Sequence, residues 1–190
     1  KMIYLVALIL GIALPVVVIY IIELLKYKIE GRADVEKITS LPIVGDVPLS
    51  EDKGKEESIV VHENQNDLMA ETFRNVRTNV LYMMRSDEKV ILVTSTTTGE
   101  GKTFIASNLA VSLALLGKKI VIGGLDIRKP SLNKAFNLSH REQGISQFLA
   151  NPEHTDLMSL VQVSRINANL SILPGGPIPP NPTELVARES

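Results

Sequence analysis

The chain has 190 residues, a formal net charge of −1, and 45% hydrophobic against 22% charged residues. That composition suits one α/β domain with an appendage and excludes a disordered or collagen-like chain. With no cysteine, three histidines without ligand spacing and 4% aromatics, it offers no disulfide framework, no cysteine-ligated zinc site and no stacking platform for single strands; near-neutral charge gives no pull toward nucleic acid.

Met2 to Ile22 is a run of 21 residues without a charge, and it extends to Leu25 with Glu23 near its end. Twenty-four helical residues cover about 36 Å, more than a hydrocarbon core of about 30 Å. Tyr4 and Tyr20 suit the interfaces, and membrane helices tolerate a proline such as Pro15. The run exceeds the apolar part of a signal peptide, and no small-residue cleavage site follows it. Residues 1–25 therefore read as one transmembrane helix. Lys26, Lys28, Arg32 and Lys37 follow it while only Lys1 precedes it, so the positive-inside rule puts everything after Leu25 in the cytoplasm.

Lys26 to Ser40 is charged and is expected to prolong the helix out of the membrane. Leu41 to Glu57 carries Pro42, Gly45, Pro48, Gly54 and the run EDKGKEE. It reads as a loose approach, making residues 26–57 a juxtamembrane linker and residues 58–190 the following domain. A helix is predicted from about Gln65 to Arg85, where Met69, Phe73, Val76, Val80 and Met84 form one apolar stripe. Lys89 to Thr94 is a β-rich run and is predicted as the first strand. Thr103 to Leu116 is a second helix, with Gly117 as its C-terminal stop. A second strand is predicted over Lys119 to Leu125, short helices over Ser131 to Phe136 and Gly144 to Asn151, and a third strand over Leu170 to Leu173. Strand, helix and strand at this spacing predict a parallel sheet with a right-handed crossover.

Between the first strand and its helix stands STTTGEGKT, residues 95–103. This is the strand–loop–helix setting of a phosphate-binding loop. Gly99 and Gly101 let backbone N–H groups approach a phosphate, and the helix aims its positive end at the anion. Lys102 suits the β- and γ-phosphates, and the Thr103 hydroxyl suits Mg²⁺. Thr96 stands where the usual pattern has glycine or alanine. The strand that ends at Asp126 places its carboxylate at the carboxyl end of a parallel strand, where ligands bind in such sheets; it is a second candidate for Mg²⁺. Arg128 either neutralises phosphate charge or fixes its loop. Glu71, Arg74 and Arg77 lie at i, i+3 and i+6 of the first helix of the domain, a spacing that by itself reads as a solvated face.

Taken together these motifs resemble the bacterial tyrosine kinases fused to polysaccharide chain-length regulators. The apolar helix is similar to that family's second membrane helix, and DVEKITSLPIVGDVP (34–48) to its juxtamembrane segment. ETFRNVR (71–77) is similar to its ExxRxxR helix. The loop at 95–103 is similar to its first nucleotide motif, with Thr98 where proline is common; LDIRKP (125–130) is similar to its second, and GGPIPPNPTEL (175–185) to a late loop. The family's second motif usually reads DxDxR, and Gly124 stands at its first aspartate. No apolar strand ending in aspartate follows before Ser190, and no tyrosine-rich tail; the tyrosines are Tyr4, Tyr20, Tyr27 and Tyr82.

The resemblance implies a P-loop NTPase-type parallel sheet flanked by helices, preceded by one transmembrane helix, in an internal segment of a larger polypeptide. It implies ATP and Mg²⁺ as cofactors, with Thr98, Gly99, Glu100, Gly101, Lys102, Thr103 and Phe104 around the nucleotide, Thr103 and Asp126 on the metal, and Lys102, Asp126 and Arg128 in catalysis. Glu71, Arg74 and Arg77 would contact a neighbouring subunit in a homo-oligomeric ring. The implied activity is ATP-dependent phosphorylation of protein tyrosine at the bacterial inner membrane, controlling capsular or extracellular polysaccharide synthesis. Its partners would be a neighbour's tyrosine-rich tail and the polysaccharide export machinery. Two other readings fit parts of the chain: a membrane-anchored ATP-binding scaffold with little phosphotransfer, for which Gly124 speaks, and a partitioning-type P-loop ATPase, which would carry an early loop lysine where Thr97 stands.

Overall fold

A computed structural model describes residues 2–25, 29, 31–49, 58–64, 66–138 and 143–187. Lys1, Lys26, Tyr27, Lys28, Gln65 and the whole EDKGKEE run (51–57), Gly54 included, lie outside the described residues. The chain divides into two compact units, Lys1–Ile43 and Val44–Ser190.

The first unit contains α1, Met2–Leu25, which passes through Pro15 without interruption. Side chains from Met2 to Glu23 are all exposed. An apolar helix with no buried face matches lipid better than water, and α1 is long and apolar enough to cross a membrane. The helix does not run on through residue 40 as predicted. Gly31 is extended (φ −171°, ψ −179°), and a separate short helix, α2, occupies Arg32–Ile38. The helix is restarted by its own exposed pairs, Arg32–Glu36 at 2.9 Å and Lys37–Asp34 at 3.2 Å. Pairs of this kind contribute only about 0–1 kcal/mol each.

In the second unit, α3 spans Leu68–Met83 and α4 spans Lys102–Leu115. Asp67 caps α3 by accepting from the Ala70 amide at 2.7 Å. Phe73 and Val76 of the predicted stripe are buried, with Ala70 beside them. The second half of α4, Ser107 to Ala114, is buried on every side, which is why it reads as a nearly continuous apolar run. Gly117 stops it as predicted: φ is +84°, its N–H meets the Ala114 carbonyl at 2.9 Å, and the Lys118 N–H meets the Leu113 carbonyl at 3.4 Å.

The strands are β1, Ile120–Gly123; β2, Gln162–Val163; and β3, Leu170–Leu173, in the order β1-β3-β2. The pair β1–β3 is parallel, in register Ile120↔Leu170 through Gly123↔Leu173, while β2 pairs antiparallel with β3. Short helices α5 (Leu132–Ala135) and α6 (Ile145–Ala150) precede a 3-10 turn at Leu157–Leu160, and α7 (Pro182–Ala187) follows β3.

Lys89 to Thr94 corrects the prediction of a first strand. The run joins no ladder among the described residues. Its alternation is that of a strand, with Val90 89% and Leu92 78% exposed and Ile91 and Val93 more covered. A cavity lined by this run and by Val121–Gly123 lies between it and β1. The core instead gathers Phe73, Val111, Ala114, Ile122, Leu170 and Ile172 between α3, α4 and the β1–β3 pair. Each of these side chains larger than alanine contributes roughly 1.5–3 kcal/mol through burial. Val44 and Val47, inside the predicted 26–57 linker, pack on Val76 and its neighbours.

Candidate nucleotide-binding site

The loop 95–103 bends where its glycines permit. Gly99 and Gly101 have φ of +95° and +90°, and a Cβ at either would meet nothing within 4 Å. Their requirement is therefore the left-handed backbone itself, not lack of room. Gly101 caps α4, its carbonyl accepting from the Ile105 amide at 2.9 Å. The first-turn amides of α4 are thus left at the loop, where they favour an anion.

Lys102, the first residue of α4, donates from Nζ to the Thr97 carbonyl at 3.4 Å. The Thr103 hydroxyl lies 2.5 Å from that of Ser131. Asp126 follows β1 by three residues, and its Oδ1 accepts from the Lys129 amide at 3.0 Å, which fixes the turn that carries it. A cavity of about 590 Å³ is lined by Lys102, Thr103, Asp126 and Ser131, and also by Val90–Val93 and Val121–Gly123 of β1. This volume falls in the range of small-ligand sites. A hydroxyl and a carboxylate facing one space form an all-oxygen donor set, the chemistry Mg²⁺ requires. Thr103 and Asp126 therefore fit a nucleotide-bound Mg²⁺, beside an ammonium and helix-end amides that fit phosphates.

Glu100 turns back over the loop. Its carboxylate accepts from the Thr97 amide at 3.1 Å and from the Thr96 hydroxyl at 3.3 and 3.4 Å. Hydrogen bonds from Thr97, through its side chain and then its amide, hold the carboxyl down at about 2 against an ordinary 4.5, and Ser95 and Thr96 add smaller pulls.

Other predicted residues go elsewhere. The Phe104 ring packs edge-on against Phe73, with centroids 5.8 Å apart, so its side chain serves the core. Thr98 is exposed on the loop. Arg128 does not line the cavity; its Nη2 donates to the Thr183 hydroxyl at the start of α7, at 2.6 Å. Of the two roles open to Arg128, this contact is that of a residue fixing its loop. Glu71 and Arg74 form an exposed pair at 2.6 Å, and Arg74 also reaches Asn66. Arg77 is half-buried and donates to the Ser112 carbonyl of α4 at 2.9 Å.

Gly124 occupies a close approach. A Cβ there would lie 3.0 Å from the Gly175 nitrogen and 3.2 Å from Leu132 Cδ2. Any larger residue requires the Gly175 backbone to shift. Sequence reasoning missed Ser131, which belongs to no spaced motif, and gave Thr183 of the 175–185 loop no partner; only the fold brings them to Thr103 and Arg128.

A family model described as ParA, NUBPL iron-transfer P-loop NTPase, matches residues 86–175. Tyrosine-protein kinase YwqD of Bacillus subtilis (strain 168) is 34% identical over 131 residues, which cover 68% of this chain and 54% of that protein. Tyrosine-protein kinase wzc of Salmonella typhi is 27% identical over 198 residues, covering 96% of this chain and 27% of that one. The chain thus spans about half or less of the length of these curated relatives. Among solved structures, the BceF tyrosine kinase domain is similar at a TM-score of 0.69 and 30% identity, with 84% of this chain and 67% of that one covered. The phosphate loop ahead of α4 and the carboxylate after β1 sit within the region these kinases share, and the likeness of sequence and fold extends well beyond the loop: the chain belongs to the bacterial tyrosine kinase family.

Proposed function

We propose that this chain is the membrane-anchored, nucleotide-binding part of an ATP-dependent protein tyrosine kinase that acts in capsular or extracellular polysaccharide synthesis. The observation that supports it most is the meeting of Lys102, Thr103 and Asp126 at one cavity beside the amino end of α4. Phosphoryl transfer asks the protein mainly for positioning and charge neutralisation. Lys102 and the helix-end amides hold the phosphates, and Thr103 and Asp126 orient the metal. When bound, Mg²⁺ neutralises charge between the β- and γ-phosphates. The cytoplasmic placement of residues after 25, the ring of subunits, the neighbour's tyrosine-rich tail and the export machinery belong to this proposal. Within it, Glu71 and Arg74 supply the exposed part of the subunit contact, and Arg77 secures α3 to α4.

Calorimetric titration of the full chain in detergent with ATP and Mg²⁺ tests the site. Lys102→Met should weaken binding at least tenfold in a folded protein; unchanged affinity would overturn the assignment. Asp126→Asn should weaken binding in Mg²⁺ more than binding without it.

A second reading has its own observation. Gly124 leaves Asp126 as the single carboxylate of its motif, and a side chain at 124 would press on the Gly175 backbone. A regulatory scaffold that binds ATP with little transfer fits that geometry. Phosphotyrosine detection on the complete protein separates the two: strong modification rules out the scaffold.

A further inference from the structure

We propose that Glu100 is a positioning residue of the phosphate loop: its carboxylate ties Thr96 and Thr97 across the turn and so fixes the carbonyl on which the Lys102 ammonium rests. The inference rests on the reading of this loop as the nucleotide site and deepens it.

Three threonines in succession, Thr96 to Thr98, form the arm that leads into the loop. None restricts φ as a proline would. Glu100 stands between two left-handed glycines, Gly99 and Gly101. Two such residues fold the chain back on itself, which brings the side chain between them over the arm it has just left. The carboxylate then takes the Thr97 N–H and the Thr96 O–H. With its amide held, Thr97 presents its carbonyl to two donors, the Ser95 hydroxyl at 2.9 Å and Lys102 Nζ at 3.4 Å. The path from Glu100 to Lys102 thus runs through one residue, from the Thr97 amide across its Cα to the Thr97 carbonyl. The low carboxyl pKa agrees with a charge engaged by several donors.

Two effects of opposite sign act on an anionic ligand here. A carboxylate in the loop repels phosphate, so its removal would tighten binding if repulsion dominates. A carboxylate that holds Thr97 and thereby Lys102 favours binding, so its removal would weaken it. The contacts run within the loop through hydrogen bonds to a charged acceptor, which are stronger than neutral ones. On this proposal positioning is the larger of the two, and the sign of the change in the Glu100 variants decides between them.

The test is Mg²⁺·ADP titration of the full chain in detergent, comparing the unaltered protein, Glu100→Ala, Glu100→Gln and Lys102→Met. Glu100→Ala should weaken binding about five- to tenfold, the scale of one well-placed hydrogen bond. Glu100→Gln keeps an oxygen for the Thr97 amide and should recover most of that loss. Thermal midpoints should stay level, because Glu100 is exposed and touches no core residue. Tighter binding by both Glu100 variants would show that repulsion dominates and overturn the proposal. Equal affinity for all Glu100 forms, with Lys102→Met impaired, would overturn it while sparing the site. Unimpaired Lys102→Met would remove the nucleotide site and the positioning role together.

Discussion

Two apolar runs flank α4, and only one of them is a strand. Val90–Val93 and Ile120–Gly123 have the same kind of residues, the same length and comparable exposure of their outward side chains, Val90 and Leu92 against Val121. β1 has an edge to pair with: the Ile120 amide meets the Asn169 carbonyl at 2.8 Å, and the Gly124 amide meets that of Leu173 at 2.9 Å. The earlier run faces the opposite edge of β1 across a cavity and makes no ladder. Composition and alternation specify the capacity to be a strand. A neighbour in register decides whether the capacity is used.

The sharpest test removes what β1 leans on. Ile172 of β3 is 1% exposed and opposite Ile122, so Ile172→Ala should cost about 2–5 kcal/mol in denaturant unfolding. Next comes the clasp that holds α4 between the two runs. Arg77→Ala leaves the Ser112 carbonyl without its 2.9 Å donor, and should cost about 1–3 kcal/mol in the same measurement. The turn that feeds β1 comes third: alanine at Gly117, where φ is +84°, should cost about 1–2 kcal/mol. The unpaired run should show the smallest effect. Leu92→Ala should change stability by less than about 0.5 kcal/mol, and the amides of 90–93 should exchange with solvent far faster than that of Ile122. A loss near that of Ile172→Ala would mean that the run is packed in solution and erase the contrast.

Much of this was legible because it is local. The stripe at Phe73 and Val76, the stop at Gly117 and the third strand at Leu170–Leu173 follow from periodicity and from one glycine's φ. The loop 95–103 was legible from its residue chemistry ahead of one recognisable element, α4; the strand expected before it joins no ladder among the described residues. What escaped depends on partners distant in sequence. Whether Lys89–Thr94 pairs, and that Gln162–Val163 runs antiparallel to β3, are settled across many residues. The helix at Pro182–Ala187 and the break at Gly31 had no periodic signal. Arg77 belonged to a charged triplet whose spacing predicts a solvated face, yet α4 lies close enough for its guanidinium to turn inward. In the site, Asp126 was found through its strand, whereas Ser131 was hidden because nothing in its spacing connects it to Thr103.

Asn108 spends its whole side chain as a coupling. Its oxygen accepts from the amides of Val60 and Val61, at 2.8 and 3.2 Å, while its nitrogen donates to the carbonyls of Ser58 and Phe104, both at 2.9 Å. Aspartate has nearly the same shape but no donors, and leucine has neither function. The segment 58–61 is the last stretch of chain before α3 begins a few residues on, and Lys102 is six residues before Asn108, about 9 Å along the same helix. One side-chain amide thus fastens the stretch 58–61 to the helix that begins where the loop 95–103 ends.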